Sequence, residues 1–79
     1  MSNTLEYKGY YTNIEIDFGA REFYGEIENI KGLVNFQSDI SEGIDGITRE
    51  FHNAVDDYLS FCKEVNIMPE HSLKVAEYA

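Results

Sequence analysis

Glu15, Asp17, Glu26 and Glu28 fall at alternating positions of two β-patterned stretches, and Asp56 and Asp57 stand side by side further along the chain. Convergent carboxylates do one of two things: they hold metal ions, as nucleases of RNase H type require, or they meet the cations of a partner protein. With fifteen acids in 79 residues, close pairs arise by chance, and an alternation that gathers acids on one face is how a half-exposed sheet builds its solvated side. No metal site is assigned on that ground. His52 and His71 are isolated, and no motif pairs either with Cys62, so neither a zinc ligand set nor a cysteine–histidine nucleophile is expected. No catalytic residue and no cofactor are assigned. Six basic residues against fifteen acidic ones leave a net charge of −9, which repels phosphate backbones and speeds encounter with basic partners. The tyrosines at 7, 10, 11 and 24 could stack on bases, but the accompanying basic groove is missing, and sheet packing explains them better. Direct nucleic-acid binding is not expected.

The elements that must position these acids follow from periodicity. Tyr10, Thr12, Ile14, Ile16 and Phe18 place a β-favouring residue at every second position, with Tyr11, Asn13, Glu15 and Asp17 between them, which predicts a half-buried strand. Leu5 to Gly9 extends it towards the N-terminus or bends away at Gly9. After a break at Gly19-Ala20-Arg21 the alternation resumes as Phe23, Gly25 and Ile27 against Tyr24, Glu26 and Glu28, with Gly25 the candidate for a bulge. A second break, Asn29 to Gly32, leads to Leu33–Gln37, where Val34 and Phe36 share a face. Three strands with short connections predict an antiparallel meander, greasy on one side and polar on the other.

From Ile40 the period changes. Ile40, Ile44, Ile47, Phe51, Val55, Tyr58, Cys62 and Val65 recur every three or four residues, the stripe of a helix, while Glu42, Arg49, Asn53, Asp56, Asp57, Lys63 and Glu64 take the other face. Asp39 is the expected N-cap with Glu42 completing a capping box, and Asn66 and Pro69 set the stop. A helix over roughly 40–66 would be about 40 Å long against about 23 Å for a seven-residue strand, so one end overhangs the sheet. The overhang is placed at Tyr58, Leu59, Phe61, Cys62 and Val65, a candidate oligomer interface whose cover is the tail Leu73 to Tyr78, a second copy in a homodimer, or a partner protein. The tail after Pro69 fits a short strand better than a helical turn.

These elements make an α+β protein, a three-stranded antiparallel meander packed on one long helix, with residues 1–79 as one domain. A hydrophobic fraction of 43% is too high for a disordered chain, and charges interrupt every stretch that would span a membrane. Cys62 has no internal partner and Met1-Ser2-Asn3-Thr4 lacks a signal-peptide pattern, so a reducing cytoplasm is the expected compartment.

The strings LEYKGYY from Leu5, FYGEIENI from Phe23, LVNFQSD from Leu33 and AVDDYLSFCKE from Ala54 resemble, in order and spacing, the HicB family of toxin–antitoxin antitoxins. The resemblance spans roughly Leu5 to Pro69. It implies a partial RNase H-like fold without nuclease activity, and a role in binding and masking a small basic RNA-cleaving toxin of the HicA family. Glu15, Asp17, Glu26, Glu28, Asp56 and Asp57 are the candidate contacts for that partner. Related antitoxins continue into a ribbon-helix-helix segment that dimerises and binds operator DNA. The residues after Pro69 are too few to hold one, so neither DNA binding nor dimerisation through that module is expected to carry over.

Overall fold

The computed structural model describes residues 3–28, 30 and 34–68. β1 (Thr4–Tyr7) and β2 (Tyr10–Asn13) form an antiparallel hairpin that pairs Tyr7 with Tyr10 and Thr4 with Asn13. Lys8 and Gly9 join them at φ 55° and 84°, the pair of positive angles that a two-residue type I′ turn needs to match the strand twist. Leu5 to Gly9 therefore does not prolong the strand beginning at Tyr10; it bends at Gly9 and folds back along it.

β3 (Glu15–Asp17), β4 (Glu22–Glu26) and β5 (Asn35–Asp39) form the expected meander, antiparallel throughout and in that spatial order. The strand expected over residues 10–18 is thus two. Ile14 interrupts it because its backbone bonds to the N-terminal end of β1: its N–H donates to the Asn3 carbonyl at 2.9 Å, and its carbonyl accepts from the Asn3 side-chain amide. The two sheets stay joined across the kink. Glu28 N–H donates to the Tyr11 carbonyl at 3.0 Å, and the buried Thr12 hydroxyl donates to Glu26 O at 2.7 Å while accepting from Glu26 N at 3.2 Å. Phe18 departs from its expected inward position, since β3 stops at Asp17 and the following turn leaves the ring 81% exposed. Asp17 Oδ1 closes that turn by accepting from Ala20 N at 3.0 Å.

Gly25 marks no bulge, because it pairs directly with Phe36 in an unbroken register. What it provides is room: a Cβ there would lie 2.8 Å from both Phe36 Cζ and Thr12 Oγ1. Gly25→Ala must push Phe36 or break the Thr12 bonds to Glu26, and a loss of about 1–3 kcal/mol is expected in urea denaturation. An unchanged midpoint would show that the neighbours yield freely.

Asp39 does act as a cap, accepting from Ser41 N at 2.8 Å, but it caps a 3₁₀ turn (Ile40–Glu42) that precedes α1 (Gly43–Glu64). The Ser41 hydrogen bond holds the Asp39 carboxyl below its ordinary pKa. The expected capping box does not form, since Glu42 instead binds the Arg49 guanidinium at 2.7 Å. Gly43 forms the joint at φ 70°, ψ −167°, a region open essentially to glycine alone. Ile47, Phe51 and Val55 of α1 are fully buried against Tyr10, Ile14, Ile27 and Phe36, and they make the core.

Two expectations about the helical stripe need correction. Ile44 is 59% exposed, because α1 lies chiefly over β5 and its first turn only rims an apolar groove with Ile16 and Phe23. At the other end, the expected patch of Tyr58, Leu59, Phe61, Cys62 and Val65 is divided. Tyr58 and Leu59 pack on the core and Cys62 is buried, whereas Phe61 and Val65 stay exposed. The helical period carries Tyr58 and Cys62 inward from Val55 at three- and four-residue steps and turns Phe61 outward, while Val65 lies past the end of α1. Ile67 and Met68 continue that outward set. The strand expected after Pro69 lies outside the described residues.

Candidate functional site

Strand parity puts one row of side chains on the sheet face away from α1. Glu15 lies opposite Tyr24, which lies opposite Gln37; Asp17 lies opposite Glu22, which lies opposite Asp39; Glu26 lies opposite Asn35. Together with Glu28, which follows β4, all of these except Asp39 line a shallow groove of about 430 Å³. Glu15, Asp17, Glu26 and Glu28 are therefore brought together as the alternation predicted. Glu22 joins them. It shares the parity of Tyr24 and Glu26, a signal present in the sequence but lost when the strand is started at Phe23.

Among the described residues only neutral donors serve these carboxylates. Tyr24 donates to Glu15 Oε1 at 3.5 Å, Gln37 donates to Glu22 Oε2 at 3.3 Å, and Asp17 takes the Ala20 amide. Among the described residues none of the five forms an ion pair. Five like charges on one face repel one another, and exposure to water keeps that cost small. A cation arriving from outside meets unspent acceptors.

Asp56 does not belong to this face. Its Oδ1 accepts from Lys8 Nζ at 2.9 Å, and the Tyr7 hydroxyl lies 3.3 Å from both carboxylate oxygens. One helical turn earlier, His52 stacks on the Tyr7 ring at 3.9 Å between centroids and 15° between planes. Lys8 Nζ also sits 5.1 Å from the centre of that ring. Tyr7, Lys8, His52 and Asp56 thus clamp the β1–β2 hairpin to α1, which gives Asp56 a structural task and gives His52 a neighbour. Asp57, on the next position of the helix, lines a different groove beside β5. The acidic pair is two separate features.

The hydrogen bond donated by Lys8 is the main cause that holds the Asp56 carboxyl below its ordinary pKa, and the same bond raises Lys8. A depressed acid contributes stability above its unfolded-state pKa and loses it as pH falls through the folded value; the raised Lys8 contributes below its unfolded pKa and loses that only at strongly alkaline pH. Wild type and Asp56→Asn are accordingly expected to melt apart at neutral pH and to converge below about pH 4. Melting curves separated by a constant interval would contradict the clamp.

Among the described residues no three His, Cys, Asp or Glu side chains gather as a metal-holding group, and no helix is long and apolar enough to cross a membrane. Comparison with known protein families, curated proteins and solved structures finds no match.

Proposed function

We propose that this chain is an antitoxin-like protein of HicB type, which binds a small basic RNA-cleaving protein of HicA type in the cytoplasm and covers its active site. The observation that carries this reading is the outward face of β3, β4 and β5, where Glu15, Asp17, Glu22, Glu26 and Glu28 stand together without ion pairs among the described residues. The net charge of −9 and the four sequence strings that resemble the family support it. An RNA-cleaving protein needs cations to hold phosphates, and an acidic face that occupies those cations displaces the substrate. The chain's own charge disfavours direct contact with RNA or DNA.

The test is native mass spectrometry of the chain mixed with the small basic protein encoded beside it. A complex that forms at low salt and dissociates as ionic strength rises is the expected result; no complex at low salt would overturn the proposal. A second reading, self-association without a toxin, draws on the exposure of Phe61 (55%), Val65 (47%), Ile67 (52%) and Met68 (88%). Sedimentation of wild type against Phe61→Lys separates the two. A dimer dispersed by that substitution favours the second.

A further inference from the structure

The meander has an edge that the acidic face does not explain. Ile27 N–H donates to the Val34 carbonyl, and Ile40 N–H to the Arg21 carbonyl. In an antiparallel ladder the bonded pairs alternate, so between these two anchors Phe36 and Ser38 direct their backbone groups to β4. Asn35 and Gln37 direct theirs outward. Among the described residues no strand pairs with that side of β5. A groove of about 450 Å³ runs along it, lined both by Asn35 and Gln37 from one face of β5 and by Val34 and Phe36 from the other, which only the strand's edge allows. Its far wall is one stripe of α1, with Ala54, Tyr58 and Phe61 as the apolar floor and Glu50 and Asp57 as the acidic rim.

We infer that the β5 edge takes up an extended segment of the basic partner as an added strand, with alternating apolar and cationic side chains. This rests on the reading of a cationic protein partner and adds where and how a segment of it docks. Backbone amides and carbonyls of Asn35 and Gln37 supply the pairing. Apolar side chains of the incoming strand lie against Ala54, Tyr58 and Phe61, and its cations reach the opposite face beside Gln37 and the carboxylates around Glu22 and Glu26. β5 also lacks the lysine, proline or bulge with which proteins block exposed edges. Charge argues against a second copy in this groove, because pairing two such edges brings Glu50 and Asp57 up to their own duplicates and joins two chains of −9.

The direct probe is a nine-residue peptide alternating Lys and Val, measured at low salt by fluorescence anisotropy and by amide hydrogen exchange. In an antiparallel addition with Val on the α1 side, the Lys amides bond to Asn35 and Gln37 and the Val amides point away. N-methylation of the Lys amides is expected to weaken binding about tenfold or more, and N-methylation of the Val amides to leave it unchanged. The Asn35 and Gln37 amides of the protein should exchange more slowly when the unmodified peptide is bound. Equal binding of both methylated peptides, or no added protection at Asn35 and Gln37, would overturn strand addition. A dimer that protects these two amides without peptide would overturn the choice of occupant.

In the protein, Gln37→Pro removes an outward amide at an edge position where proline is tolerated, and Phe61→Lys sets a cation against the incoming one without touching β5. Both should weaken the peptide and the basic partner alike. A partner that binds both variants like wild type, yet is lost on charge reversal of the acidic face, leaves the proposed function standing and removes the edge. A peptide that binds as described while no basic partner associates removes the antitoxin reading and keeps the edge.

Discussion

Phe51→Ala is expected to cost about 3–5 kcal/mol, because the ring is fully buried and its removal leaves a cavity facing Phe36, Tyr10 and Ile27. The Phe36 ring lies 5.5 Å away, tilted by 37°, so its principal aromatic neighbour across the sheet–helix interface loses contact as well. A domain of this size has a total stability of about 4–12 kcal/mol, and the variant should be largely unfolded or melt far below wild type. Ile44→Ala is the matched control. It lies on the same apparent stripe but is 59% exposed, and a change within about 0.5 kcal/mol is expected. Equal losses at both positions in urea denaturation would mean that α1 covers the sheet with a different face.

The second large effect concerns the acidic face. Glu15→Lys combined with Glu26→Lys should slow association with the basic partner about tenfold or more and flatten its dependence on salt, because steering depends on the sign of the field at the contact. Glu6→Lys combined with Glu64→Lys changes net charge by the same amount from exposed positions away from the groove, and a much smaller effect is expected. Stopped-flow association at two ionic strengths distinguishes the pairs. If both slow equally, net charge alone drives encounter and the groove has no special role.

How far these features were legible depends on whether they are local. The alternation of Tyr10, Thr12 and Ile14 and the three- and four-residue steps of Ile47, Phe51 and Val55 fix which side chains face inward, and all six are buried. The acidic face was readable for the same reason, since parity along a strand survives any choice of partner strand. Register does not. Leu5 and Tyr7 alternate identically whether the chain runs straight into Tyr10 or turns at Lys8 and Gly9, so the hairpin stayed undecided. The split at Ile14 depends on Asn3, eleven residues away, and the Lys8–Asp56 pair spans forty-eight. No periodicity reports such contacts, which is why Asp56 looked free and His52 isolated. The exposed end of α1 was legible as an overhang, but which of its apolar residues turned outward required the helix phase relative to β5.

The most direct measurement is chemical-shift mapping of the 79-residue chain with the small basic protein at low salt. Perturbations concentrated on β3, β4 and β5, centred on Glu15, Glu22 and Glu26 with the clamp of Tyr7, His52 and Asp56 unaffected, are the predicted result. Perturbations confined to the outer face of α1, or a spectrum that does not change, would contradict the proposal that the open carboxylate face exists to receive a cationic protein.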